Sequence, residues 1–557
     1  MDNETPKHSR VILLLTNRPV NVELIRQRVE ELHYLQDSFP DSATFVDLEI
    51  EELASIEEAR DWFRKKAQTG CEAALVLLDP QVSINRDLQA ENRGLTLTGF
   101  LDELEIDHPA VPVLIASPAP AEDIQRLAVG RPLTGLWLMG SDDPDDPEGS
   151  GDFAEALAGL AVMPPRSAMR YTISVGNEAA RYVVLRGNYK IASTTAIDYG
   201  TPKAIESVLK RIERFYPDDG GTVSLDNADM IFIDAGNRLY DLLIRKTVGP
   251  GIIRAFGGRD MPGPSPVQEK MDLRFEIKVG STEHSQMFNL PFEFMNDDPD
   301  QDANWCFCPR VPMARRLNLG QRALRGSGRP SEFEAQQNYR TLFMACDVDN
   351  TVMLRLDADH ELRKVTLNYL TNIERERTTL RECGEEGGAR RISSLIELGI
   401  GTSPSVGVRL RDELKKRLKY GRFDIFHFAG HSIALRGVKD SPFLVLPDEP
   451  GFAQAVPIRD VAQWLNEGNC KFMVLASCGS ASVVTATETM RGGAEGIVGF
   501  RWEVDDAECA EFFERFYHAY FKRGSSLAES FRDACRDEKP IQTQLLQWAS
   551  AVAVLRD

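Results

Sequence analysis

The hydrophobic pattern divides the chain into two long α/β stretches. RVILLLTN (10–17) is a continuous apolar run, as a strand buried on both faces requires. NVELIRQRVEEL (21–32) then switches to helical spacing, with Val22, Ile25, Val29 and Leu32 on one face. Further strand patterns fall at ATFVDLEI (43–50), AALVLLD (73–79), VPVLIAS (111–117) and TGLWLMG (134–140), and helical ones near 56–67, 94–106 and 121–129. This alternation predicts a doubly wound sheet of about five parallel strands within residues 1–165. DDPDDPEGSGD (142–152) reads as an exposed loop or linker.

Residues 166–222 carry three short strand-like runs, MRYTISV, ARYVVLR and KIASTTAI, and an amphipathic helix at 203–215, which together predict a short β-rich adaptor segment. From residue 223 to 557 strand and helix patterns alternate again, giving a second α/β region. No regular repeat is present, so a solenoid is not expected.

Chemistry concentrates in 402–557. TSPSVGVRLRDELKKRLKYG (402–421) reads as a helix with Ser403 as N-cap, Pro404 at the first position and Leu410, Leu414 and Leu418 in one stripe. The strand FDIFHFA (423–429) then ends in Gly430-His431, and the strand KFMVLAS (471–477) ends in Cys478-Gly479-Ser480. In an open parallel sheet functional groups gather beyond the carboxyl ends of the strands. One strand therefore delivers an imidazole there and another a thiol, and a thiolate is the form that attacks carbonyls. The 47 positions between His431 and Cys478 agree with the roughly 50-residue His-to-Cys spacing of caspases. His427 stands four strand steps from His431, about 13 Å, too far to share a metal, and reads as a core or supporting residue. Cys306 and Cys308 form a lone C-x-C pair without the second ligand pair of a zinc site. Cys470, Cys509 and Cys535 read as packing residues. No metal or cofactor is expected.

Composition narrows the setting. The 557 residues are 42% hydrophobic and 27% charged, ordinary for globular protein, with a formal net charge of −20. That balance argues against direct nucleic-acid binding and against an anionic membrane surface. No apolar run reaches the ~18 residues of a membrane span, and MDNETPKHSR lacks the apolar core of a secretory signal. Nine scattered cysteines suit reduced thiols. A cytoplasmic location is expected.

The ordered motifs resemble the CHAT family, caspase- and separase-like cysteine peptidases of clan CD. FDIFHFAGH (423–431) is similar to the family's strand ending in HFAGH, and VLASCGSAS (474–482) to its apolar-strand-Cys-x-Ser motif. Residues 493–536 resemble the following strand, the W-x-V-x-D turn, the F…FY helix and the G-x-S helix, and QWASAVAVLRD resembles the closing strand. LPFEFM (290–295) resembles the family's PWELL element with Phe292 in place of Trp. The resemblance covers 223–557, with a catalytic core at about 338–557, and implies a caspase-like doubly wound α/β fold. It makes Cys478 the nucleophile, His431 the general acid/base, and the backbone N–H groups of Cys478 and Ser432 the oxyanion donors. Ser432 departs from the Gly common in the family. Asp506 matches the position that binds a basic P1 side chain in separase-like members, although it could equally favour the start of a helix. Asp424 reads as structural.

The implied function is a regulated cysteine endopeptidase that cleaves a protein partner with a Cys–His dyad. By family analogy the arrangement suits bacterial defence or signalling. The alternative is a catalytically inactive scaffold or a signalling and binding module. Residues 10–140 resemble a degenerate receiver-like flavodoxin fold. Thr16-Asn17 stands where a working receiver has its acidic pair, and Asp79 and Ser117 occupy the acceptor and switch positions. The Lys after strand five is missing, so phosphotransfer is not expected. This region reads as a regulatory domain that binds an activating protein or signal.

Overall fold

The computed structural model describes residues 10–555 apart from 17, 36, 39, 47, 67–71, 81–92, 109–110, 118–121, 130, 132–133, 140–146, 162–168, 176–178, 187–188, 194–196, 199–206, 211–227, 246–270, 279–286, 296–311, 319–331, 349–350, 357–360, 368–369, 385–387, 400–409, 436–441, 479, 481–482, 492, 502–503 and 537–549. The chain forms two compact units. The first comprises 1–173, 179–199 and 243–271, and the second 174–178, 200–242 and 272–557.

In the first unit, β1 (Arg10–Leu15), β2 (Glu49–Leu53), β3 (Glu72–Leu78), β4 (Val113–Ser117) and β5 (Thr134–Leu138) pair in parallel in the order β2-β1-β3-β4-β5. This is the flavodoxin-like order of doubly wound sheets. The inner strands β1, β3 and β4 are almost wholly buried, whereas the edge strand β2 carries three glutamates in five residues and stays half open. Two sequence expectations shift here. ATFVDLEI begins as the end of a 3-10 helix, Pro40–Phe45, with Phe45 in the core, and the strand starts only at Glu49. The acidic stretch after β5 is not all linker, because a helix runs over Pro147–Ala161. That helix buries Phe153, Leu157 and Leu160 and packs on β5. The acids mask its apolar face, which begins only at Phe153. The strands β6 (Met169–Val175), β7 (Ala179–Arg186), β8 (Tyr189–Ser193) and β9 (Ile197–Asp198) follow, with β7 antiparallel to both β8 and β9. The Lys190 amide donates to Glu155 of the Pro147–Ala161 helix at 3.1 Å. Of the helix expected at 203–215, residues 207–210 are helical and the rest lies outside the described residues.

The second unit contains β10 (Met271–Lys278), β11 (Met313–Asn318), β12 (Asn338–Ala345), β13 (Thr351–Leu356), β14 (Glu361–Thr366), β15 (Arg391–Leu398), β16 (Ile425–Ala429), β17 (His431–Ile433), β18 (Phe443–Pro447), β19 (Phe452–Pro457), β20 (Phe472–Ala476), β21 (Gly496–Phe500) and β22 (Ala551–Leu555). Its main sheet runs β15-β12-β16-β20-β21-β22-β11-β10. Every neighbouring pair is parallel except β21 with β22. The central strands IFHFA, FMVLA, GIVGF and AVAVL are buried at every position, as helix cover on both faces demands. Alternation along β20 sorts the cover. Phe472 stacks on Phe516 of the helix Asp506–Tyr517, while Met473 receives the Thr489 hydroxyl from the helix Val483–Arg491 at 3.6 Å. A smaller sheet, β14-β13-β19-β18-β17, stands beside the main one. No described helix is long and apolar enough to cross a membrane.

Candidate active site

The site grows from one line of register. β16 and β20 are adjacent parallel strands with Ala429 opposite Ala476. His431 and Cys478 each stand two residues beyond that pair, where neighbouring strands lie about 4.8 Å apart. The Gly430 amide donates to the Ala476 carbonyl at 3.3 Å, carrying the pairing one step past the strands. Gly430 is required there, because a Cβ would meet the Cys346 Cβ at 2.9 Å and the Phe428 ring at 2.8 Å. Immediately after it the chain leaves the main sheet, and His431 opens β17, the edge strand of the small sheet, opposite Val445. The Ser432 hydroxyl donates to the Cys478 carbonyl, tying the two strand ends together. On the far side of the thiol, Ser480 is fully buried. Its hydroxyl donates to the Leu475 carbonyl at 3.2 Å and accepts from the Phe500 amide at 3.1 Å, which folds the chain back after Cys478.

Cys478 is half-buried, whereas the other described cysteines, Cys346, Cys383, Cys470, Cys509 and Cys535, are buried. Burial pushes the Cys383 and Cys470 thiols up to about 12 and those of Cys346 and Cys509 higher still, which makes them inert. Cys306 and Cys308 lie outside the described residues. The Cys478 sulfur rests against Val504, 3.4 Å from its amide nitrogen and 3.8 Å from its carbonyl oxygen. No cluster of three metal-ligating side chains occurs among the described residues.

Asp506 is the first residue of the helix Asp506–Tyr517, whose N-cap is Asp505. Its Oδ2 accepts from the amides of Thr371 and Asn372 at 2.5 and 2.6 Å, from the Asn372 side-chain amide at 3.0 Å and from the Thr371 hydroxyl at 3.2 Å. The carboxylate thus clamps the start of the helix Ile373–Glu382 to the start of the helix Asp506–Tyr517. Asp424 accepts the Arg340 amide at 2.7 Å and sets the beginnings of β12, β16 and β20 in line. The N-cap expected at Ser403 lies outside the described residues, and that helix is described from Leu410 to Tyr420.

Two buried polar groups were not foreseen as such. His427 bonds through Nδ1 to the Tyr517 hydroxyl and through Nε2 to Glu376, each at 2.7 Å, with His427 and Glu376 almost wholly buried. Burial raises the Glu376 carboxyl above its ordinary range despite the histidine. The second group centres on Glu293, within the LPFEFM element. It pairs with Arg315 and with Arg501, the latter at 2.7 Å, all three side chains at most 2% exposed. Arg315 lies over the rings of Phe288 and Phe292 and donates to the carbonyls of Phe288 and Leu290 at 3.2 and 2.8 Å. The two guanidiniums outweigh desolvation and hold the Glu293 carboxyl at about 2. A glutamate in so apolar a run as LPFEFM is the one signal that pointed to it.

A family model described as CHAT domain matches residues 234–556. The chain belongs to the CHAT-domain family. Its CHAT domain therefore contains both strand ends just described, on a mixed α/β fold. No curated protein matches the chain. Among solved structures it is similar to the Arg-specific cysteine proteinase gingipain R at 10% identity, over 59% of this chain and 74% of that one, with a TM-score of 0.31. It is also similar to the Saccharomyces cerevisiae separase–securin complex at 9% identity and a TM-score of 0.35. That match takes in 84% of this chain and 37% of the other.

In the first unit, Asp79 follows β3 and is buried. Its Oδ2 accepts from Thr16 Oγ1 at 3.0 Å and Asn21 Nδ2 at 2.8 Å, with Arg18 Nε at 3.7 Å. Its charge is thus met by two neutral donors and an arginine. Ser117 ends β4 and is buried.

Proposed function

We propose that the CHAT domain is a cysteine endopeptidase in which Cys478 is the nucleophile and His431 the general acid/base. The observation that carries this is the in-register delivery of both side chains past Ala429 and Ala476, with the thiol half-buried while the other described cysteines are buried. In this reading the Cys478 thiolate attacks a peptide carbonyl and forms a tetrahedral adduct. The His431 imidazolium protonates the leaving amine as the C–N bond breaks. Water, deprotonated by the same imidazole, then hydrolyses the thioester and returns the thiol. The backbone N–H groups of Cys478 and Ser432 serve as oxyanion donors, each typically worth a few kcal/mol.

The substrate is a protein, and control resides in the first unit, as a docking surface for an activating protein or signal rather than as a phosphoacceptor. All six described cysteines are free, which suits the reducing cytoplasm. A role in defence or signalling follows by analogy with the family. The test is covalent labelling by a peptidyl electrophile, followed by proteome-wide mapping of new N-termini. Labelling confined to Cys478, and new termini lost in Cys478→Ala, are the expected results. An unlabelled Cys478 in the presence of the activating signal would make the domain a scaffold.

A further inference from the structure

The segment between β21 and the helix Asp506–Tyr517 is held at both ends. The Arg501 amide donates to the Ser550 carbonyl at 2.7 Å and its guanidinium is buried on Glu293. At the other end Asp505 caps the helix, accepting from the amides of Ala507 and Glu508 at 2.9 and 3.4 Å, and Asp506 is locked to Thr371 and Asn372. Between these anchors Val504 presents its main chain to the Cys478 sulfur, with N–H at one approach and C=O at the other. A thiol can donate to the carbonyl oxygen, and a thiolate can only accept, so deprotonation transfers the sulfur's interaction to the amide.

Acidic groups gather at the helix start that adjoins Val504. A helix N-terminus ordinarily favours a thiolate. Here Asp505, Asp506 and Glu508 crowd that end, and Glu508 is pushed up to about 7 by burial and by Asp505 and Glu511. Cys509, on the helix Asp506–Tyr517, is close enough to Cys478 for charge on one thiol to oppose charge on the other, and Glu376 lies beside Cys509. His431, which opens β17, would be the favourable cation when protonated.

We propose that the Val504 main chain is a positioning element for the nucleophile, its N–H holding Cys478 as a thiolate against the surrounding carboxylates. This rests on Cys478 being the nucleophile. Thiol acidity can be read without any peptidase assay, so the two readings fail separately. The experiment is the pH dependence of iodoacetamide alkylation at Cys478, resolved by peptide mass spectrometry on the full chain. Val504→Pro deletes the donor and Val504→Ala keeps it. The proline variant is expected to raise the alkylation inflexion by about one pH unit, the usual worth of a hydrogen bond to a charged group. The alanine variant should follow the parent protein. An unmoved inflexion in Val504→Pro, or equal shifts in both variants, overturns the proposal. Should the proline variant not fold, hydrogen exchange of the 501–506 peptide in Cys478→Ala decides. Faster amide exchange than in the parent protein is expected once the sulfur acceptor is gone, and identical exchange overturns the assignment.

Discussion

Replacing Glu293 by Gln removes one charge and almost no volume, so it isolates the electrostatics of the buried Arg315–Glu293–Arg501 group. The two guanidiniums hold the carboxyl near 2 instead of its ordinary 4.5. At about 1.4 kcal/mol per pH unit, that difference corresponds to about 3 kcal/mol of stability at neutral pH. Leaving two arginines buried around a neutral amide falls in the same range, about 3–5 kcal/mol for a broken buried pair. The sign with pH follows from the direction of the shift. A carboxyl depressed in the folded state contributes fully above its unfolded value near 4.5 and loses that contribution as pH falls towards 2. Urea unfolding of the full chain, followed by tryptophan fluorescence, should therefore show a large gap between parent and Glu293→Gln at pH 7 and a smaller one at pH 3. A gap under about 1 kcal/mol at pH 7, the scale of an exposed ion pair, would refute the reasoning. So would a gap that does not narrow on acidification.

Asp506→Ala should lower kcat/KM for peptides with basic and apolar P1 residues to the same degree, because it releases the Thr371–Asn372 clamp. A peptide library showing loss confined to P1 Arg and Lys would return this carboxylate to the P1 role expected from the sequence. Glu508→Gln should stabilise the protein at pH 8 and have little effect near pH 4. A carboxyl raised to about 7 costs stability as pH rises from its unfolded value through 7. Thermal melts at the two pH values check this, and destabilisation at pH 8 would contradict it.

The legible parts of the molecule were those written in short range. A strand that is apolar at every position and ends in Gly-His, or in Cys-Gly-Ser, announces both its burial and what it delivers, and β16 and β20 did so. The adjacency of these two strands was not legible, since nothing within either run names its neighbour. Long-range polar partners were hidden for the same reason. Glu293 and Arg501 are 208 residues apart, and Glu376 looks like any acid on a charged helix until His427 is placed beneath it. Asp506 shows the limit of motif reading. The four donors that occupy its Oδ2 come from Thr371 and Asn372, which carry no pattern of their own. At Pro147–Ala161 a run of acids outweighed, in the pattern, a helix that tertiary packing on β5 makes stable.

The single glycine at 430 makes the proposed dyad a joint property of two sheets. The sulfur is carried by the main sheet, through β20, and the imidazole by the edge of the small one, through β17. The separation of the reacting groups therefore depends on how the small sheet meets the main one as well as on the register of β16 and β20. The Ser432–Cys478 bond ties the two at the site. A rotation of the small sheet about this bond would bring the imidazole nearer to or farther from a stationary sulfur. Leverage for it is available as far away as β14, the opposite edge of that sheet.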